Sequence, residues 1–271
     1  MIAPYVSVIM GVYRCKNASM LRTSVESIIA QSFQDWEFLI VDDGSDDDGA
    51  TYAAIQAAAS LDDRVVPLRY ERNRGLAYAL NFCLERARGC YIARQDDDDT
   101  SMPERLEREV AFLDARPDVA IVGTNAELFD ESGAWGVLER PERPMAESFL
   151  WNSPFIHPSV VMRADPLRSV GGYRVAPETL LYEDYDLFMR MYAAGMCGCN
   201  MPERLYSYRS DRHASKPRPM DARLREAKIR AIGFRELGLG AKKYFYIAKP
   251  VLLGLVPNAL YGAIQGRRTS C

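Results

Sequence analysis

The 271-residue sequence has no C-x-x-C pair, no long apolar run and no strong excess of either charge. Each absence removes a class of protein. Its six cysteines are scattered, Cys197 and Cys199 form only a C-x-C, and both histidines lie far from them, so no metal-ligand spacing of the zinc type is present. The thiols read as buried and free, which fits a reducing cytosol. No apolar stretch reaches the roughly 18 residues of a spanning helix, so no membrane crossing is expected. Met1 to Val6 lacks a charged n-region, which argues against a secretory signal and for a cytoplasmic location. A formal net charge of −3 gives no reason to expect nucleic-acid binding. There is also no internal repeat and no Ser/Gly-rich linker. What is present, 48% hydrophobic and 26% charged residues, is the balance of a folded globular chain. Its length suits one large domain with a short appendage.

The first half alternates short apolar runs with helical patterns, the mark of βαβ units and a mainly parallel α/β sheet flanked by helices. Strands are expected at Val6–Met10, Phe38–Val41, Val65–Tyr70, Cys90–Ala93 and Val119–Gly123. Helices are expected after Asn17 as N-cap, in an alanine-rich stretch after Asp48, over Gly75–Arg88 with Gly89 as C-cap, and from Pro103 onward. Farther on, Ser159–Met162 and Leu205–Tyr208 read as strands, and Tyr185–Ala194 and Met220–Leu237 as helices. The predicted division is residues 1–237 as the domain and 238–271 as a basic, aromatic helical tail.

Open α/β sheets bind ligands at the carboxyl ends of their strands. Two acidic groups fall there: Asp42-Asp43 after the second strand, and Asp96 to Asp99 after the fourth. Four adjacent aspartates repel one another unless they are solvated or hold a cation. Mg²⁺ and Mn²⁺ prefer carboxylate oxygens, usually one or two from the protein with phosphates completing the shell. Asp96 and Asp98 therefore read either as a metal site bridging a nucleotide diphosphate or as part of a solvated acidic loop.

Ordered motifs decide between classes. Pro4–Met10, Gln31–Ser45, Asn73–Asn81, Gly89–Asp99, Pro103–Glu107, His157-Pro-Ser, Gly171-Gly-Tyr-Arg and Glu183–Leu187 together resemble family 2 glycosyltransferases, which adopt the GT-A fold. The resemblance runs over roughly residues 4 to 210. It implies that Asp42 and Asp43 bind the nucleoside, with main-chain groups near Gly11, Val12 and Tyr13 lining the same pocket. It makes Asp98 the principal ligand of Mn²⁺ or Mg²⁺, sets Asp96 toward ribose or donor sugar, and makes Asp184 of the Glu183-Asp184 pair the general base. Arg94 pairs either with this acidic cluster or with phosphate. The Glu183-Asp184 pair also suits a helix N-terminus, and the two roles are compatible. His157 matches an acceptor-side position, and Arg209, Arg212 or His213 a loop near the diphosphate. Trp135 and Trp151 are assigned to core packing rather than sugar stacking.

The expected reaction is a single sugar transfer with inversion, from a nucleotide-diphosphate sugar (UDP-linked donors being the commonest) to a glycan or lipid-linked acceptor. The Q-x-x-R-W motif of processive relatives is absent. Lys242–Arg268 mixes basic with aromatic and aliphatic side chains, and reads either as a peripheral membrane contact at the inner face or as an ordinary helix interrupted at Pro250 and Pro257. A nucleotidyltransferase and a non-catalytic nucleotide-sugar-binding module are the rival readings. The first lacks its early Gly-rich basic loop, since Val6 to Asn17 holds only Gly11, Arg14 and Lys16.

Overall fold

Apolar runs with no polar alternation become strands covered on both faces, and the computed structural model bears this out. It describes residues 4–212, 218–241 and 243–255. β1 (Val6–Val12) and β2 (Trp36–Asp42) lie side by side, β2 buried along its whole length. β3 (Val65–Arg69) and β4 (Tyr91–Arg94) flank them, and all these pairings are parallel. α1 (Ala18–Ile29) starts where Asn17 Oδ1 accepts from the Ser19 and Met20 amides at 3.0 and 3.3 Å, as the cap predicts. Its buried residues Leu21, Val25 and Ile28 keep helical spacing.

α2 (Ala50–Ala59) and α3 (Leu76–Leu84) follow. α3 ends well before the expected Arg88. The cause is Glu37 on β2, whose buried carboxylate accepts from the Arg88 amide at 2.8 Å and the Arg88 Nε at 2.8 Å, pulling that chain off the helix axis. Gly89 is consequently no C-cap. Its amide donates to Ser7 Oγ at 2.8 Å, and a Cβ there would stand 2.5 Å from the Ser7 nitrogen.

The second half holds the short β5 (Thr100–Ser101), α4 (Arg105–Ala115), β6 (Val119–Asp130), β7 (Gly133–Leu138), β8 (Val161–Arg163), α5 (Ala164–Ser169), α6 (Glu183–Ala193) and β9 (Cys197–Arg209). Then come α7 (Met220–Glu236) and α8 (Lys243–Gly254). α4 begins two residues after Pro103, because β5 is still paired to β9 and the Met102 amide donates to the Leu205 carbonyl at 2.9 Å. β6 and β9 run far beyond their expected lengths. They pair with each other in parallel, with register shifts near Thr124 and Asn125, while β7 folds back on β6.

The strand order is β3-β2-β1-β4-β8-β6-β9-β5, with β7 beside β6. A parallel half is thus joined through the short antiparallel β8 to a mixed half. Separate cores fill the two faces. One packs Ile9, Leu39 and Val41 under α3, α6 and α7; the other packs Val8, Met10 and Phe38 under α1, α2 and α4. The acidic segments emerge at the carboxyl ends of β2 and β4.

Three expectations need correcting here. Cys90 and Cys197 are exposed, although Cys83 and Cys199 are buried as expected. Lys243–Gly254 form one helix passing through Pro250, and the Pro250 carbonyl accepts from Arg223 at 3.1 Å, so that segment docks on α7. Trp151 is half exposed, with the Lys249 ammonium 3.3 Å from its ring centre. Trp135 donates its Nε1–H to the Ser210 carbonyl at 2.7 Å.

Candidate active site

At the end of β2 the acidic pair turns inward. Asp42 is fully buried; one oxygen accepts from the Ser45 amide at 2.9 Å and the other lies 3.3 Å from Arg69 Nε. Asp43 accepts from Tyr70 Oη at 2.5 Å, Asn73 Nδ2 at 2.8 Å, the Arg74 amide at 2.8 Å and the Gly75 amide at 3.0 Å. A carboxylate offers about four lone-pair positions, and protein donors fill all of Asp43's. Its job in this structure is to pin the loop between β3 and α3. The Val12 carbonyl accepts from the Asp43 amide at 2.8 Å, and the exposed Tyr13 donates to Asp46 at 3.2 Å.

At the end of β4, Arg94 is fully buried, its two terminal nitrogens bonded within the protein and its Nε without a partner. Nη1 donates to the Ile9 and Gln95 carbonyls at 3.1 and 2.8 Å, and Nη2 bonds Asp96. Of the two partners the sequence left open, the structure shows the acidic cluster, through Asp96.

The four aspartates then diverge. Asp98 is exposed, while Asp99 is buried and accepts from the Arg209 amide at 2.6 Å. Crowding shows in their acidities. Burial, helped by Asp98 and Asp96, pushes Asp97 up to about 6, and burial together with Asp96 also raises Asp98. Among the described residues, no group of three or more His, Cys, Asp or Glu side chains is arranged to hold a metal.

The acid pair opens α6. The residue before the helix cap, Leu181, has φ of 73°, a left-handed conformation that turns the chain into the helix. Burial raises both Glu183 and Asp184 above the usual carboxylate range. His157 Nε2 lies 2.8 Å from Tyr173 Oη, and burial with the nearby Arg94 charge drives its pKa well below the ordinary value, so it is neutral.

A cavity of about 530 Å³ gathers Asp96, His157 and the Glu183-Asp184 pair from three distant segments. Asp98 and Arg209 do not line it. They open on a separate cavity of about 390 Å³ with Thr100, Glu127 and Ser207. His213 lies outside the described residues. Arg140, Arg218, Arg230 and Tyr208 also line the cavity, and none of them is among the site residues expected from sequence. Tyr208 and Arg218 sit in or beside segments singled out in the sequence, but nothing marks Arg140 there.

The fold is of the GT-A type, as the solved structures below show. A family profile described as "Glycosyl transferase family 2" matches residues 7–170, and the chain belongs to that family. EpsE of Bacillus subtilis (strain 168), named as a glycosyltransferase, is 40% identical over 98% of this chain and 94% of its own. The amylovoran biosynthesis glycosyltransferase AmsE of Erwinia amylovora is 32% identical over 75% of this chain and 76% of its own. Among solved structures, S. aureus TarS 1-349 in complex with UDP-GlcNAc superposes with a TM-score of 0.69, at 18% identity, over 92% of this chain and 72% of that one. The mannosyltransferase PcManGT from Pyrobaculum calidifontis, in complex with GDP-Man and Mn²⁺, gives 0.65 at 20% identity over 100% of this chain and 77% of its own. The chain is therefore a glycosyltransferase enzyme, which sets aside both the nucleotidyltransferase and the non-catalytic reading.

Proposed function

We propose that this enzyme moves one sugar from a UDP-linked donor to an acceptor hydroxyl with inversion, in cell-surface polysaccharide or lipid-linked glycan assembly. The observation that carries the reading is the single cavity lined by both Asp96 and Asp184. AmsE, named for amylovoran biosynthesis, supports the setting, and the TarS complex with UDP-GlcNAc supports the donor class.

In this reading Val12, Tyr13 and Asp42 wall the nucleoside pocket, and Asp43 keeps the Asn73–Gly75 loop closed over it. Arg94 holds Asp96 toward the ribose or donor sugar. Asp184 is the general base. It takes the proton as the acceptor oxygen attacks the anomeric carbon, while the bond from that carbon to the diphosphate oxygen breaks on the opposite face. Burial, which raises its proton affinity, suits that task. Glu183 stands beside it in the pair, and neutral His157 lines the acceptor side.

The donor set also fits a divalent cation. Asp98 is an exposed carboxylate whose acidity burial and Asp96 weaken, and such ions need only one or two protein oxygens beside phosphate. Asp98 would hold Mn²⁺ or Mg²⁺, which when bound neutralises charge on the leaving diphosphate. PcManGT, whose complex contains Mn²⁺, supports this. Arg209, which shares a cavity with Asp98, belongs to the same diphosphate side.

One experiment tests the assignment of roles. Nucleotide diphosphates should raise the melting temperature in a Mn²⁺-dependent way, and Asp98→Ala should abolish that shift. Asp184→Asn should keep the shift and lose transfer by about 10² to 10⁴. Transfer at the wild-type rate by Asp184→Asn would remove it as the base.

A second reading concerns α8, where Tyr244, Phe245 and Leu252 are each more than half exposed. We infer that this face touches the inner membrane surface. Among the described residues no helix is long and apolar enough to cross a membrane. Deleting residues 243–271 should reduce partition into a membrane fraction, and unchanged partition would count against the contact.

A further inference from the structure

The cavity that holds Asp184 is lined by three arginines, and two of them are satisfied by protein. Arg230 is buried and bonds Glu226 at 2.9 Å and the Leu150 and Trp151 carbonyls at 2.7 and 2.9 Å. Arg218 reaches Tyr182 Oη at 3.3 Å and pairs with Glu226 at 3.4 Å. Arg140 differs. Its Nη1 donates to the Glu139 carbonyl at 3.1 Å, its Nε is buried with no partner, and among the described residues it forms no ion pair. Burial lowers its pKa, with attraction to Asp184 as the leading opposing effect.

A guanidinium held this way loses hydration without gaining a counter-ion, a cost that folding alone does not offset. Its planar fork suits a carboxylate or phosphate taken in bidentate fashion. We propose that Arg140 forms an anion subsite that recognises a carboxylate or phosphate carried by the acceptor.

The position argues for the acceptor rather than the donor. Arg140 follows β7 and, with Leu138 and Tyr208, belongs to the β6–β7–β9 wall of the cavity, whereas Glu183 and Asp184 come from α6 on the other side. The carboxylates of Asp96, Glu183 and Asp184 repel an anion from their own side, which leaves it the Arg140 wall. The donor diphosphate is assigned to Asp98, which does not line this cavity. The inference therefore rests on the proposed roles of Asp98 and Asp184.

The test uses the full chain saturated with UDP and Mn²⁺, so that the donor site is filled. Binding of methyl glucuronide, glucose 1-phosphate and neutral methyl glucoside is measured by calorimetry. At least one anionic probe should bind more tightly than methyl glucoside, on the order of tenfold to hundredfold, the range expected of a charged hydrogen-bonded contact. Which anion is preferred tells a uronic acid acceptor from a phosphate-bearing one. Arg140→Met should erase the preference while the UDP-dependent rise in melting temperature stays as in wild type. Should that variant fail to fold, Arg140→Lys replaces it, and must lose part of the preference because the fork is gone. No preference in the wild type, no binding of either anion, or a preference that survives both substitutions would each overturn the subsite. Asp184→Asn separates the two claims. If it transfers sugar at the wild-type rate, the base assignment fails, and the anion preference is read independently in the same protein.

Discussion

The parallel half of the sheet and the mixed half treat their charged groups in opposite ways. Around β1–β4, the charged groups are tied mostly to one another and to the backbone, although Arg94 Nε is left without a partner. Asp43 has four donors, Arg94 has three acceptors, and Glu37 ties Ser7, at 2.7 Å, to the Arg88 loop. Around α6, β7 and β9, Asp184 is desolvated and Arg140 Nε is unpartnered. Buried groups that are paired stabilise a shape, and an open one that lines a cavity is a candidate for a ligand. One half is built as a frame, the other as a place where chemistry happens.

Three substitutions test that contrast. The largest effect is the loss of transfer in Asp184→Asn, and its pH profile extends the point. Because burial raises the Asp184 pKa above its unfolded value, the folded state binds that proton more tightly. The carboxylate therefore favours folding least at high pH, and its contribution declines as pH rises through the interval from the ordinary value to the raised one. Activity has the opposite slope. The base works only when ionised, so kcat should fall as pH drops through the raised pKa, at higher pH than an ordinary aspartate would show. An acid limb at the ordinary value would contradict the desolvation. Asn mimics the protonated form, so Asp184→Asn should leave the melting temperature unchanged or raise it slightly.

Asp43→Ala should behave the other way round. It strands the Tyr70, Asn73, Arg74 and Gly75 donors, and the expected loss is about 3 kcal/mol of stability, read from urea unfolding. If Asp43→Ala melts like the wild type, the frame is not where we place it. The smallest effect belongs to Asn17→Ala, which removes the α1 cap. About 1 kcal/mol is expected, seen as a few degrees in the melting temperature, with transfer unchanged.

The same contrast explains what could be read from sequence. β1, β2, β4, α1 and α6 were legible because double-sided burial writes continuous apolar runs and single-sided burial writes helical periodicity. So were the acidic sites, as their motifs sit where strands end. β7, β5 and the far reaches of β6 and β9 were not, since their residues are polar or half-exposed and pair over long separations, as Phe129 does with Arg209. The end of α3 was misread because a local glycine signal lost to the distant carboxylate of Glu37. Arg94 was ambiguous for a related reason: a charge at a strand end does not name its partner. Arg140 had no signal at all, because an arginine reads the same whether or not something pairs with it.

Leu181 sets a limit on how this chain can vary. At its φ of 73° a leucine carries a penalty on the order of 1 kcal/mol that glycine escapes. In a saturation library the tolerance at 181 should therefore invert the usual ranking, with glycine and asparagine accepted and valine, isoleucine and proline rejected. The acid pair would then drift in a population only along paths that keep the bend ahead of it.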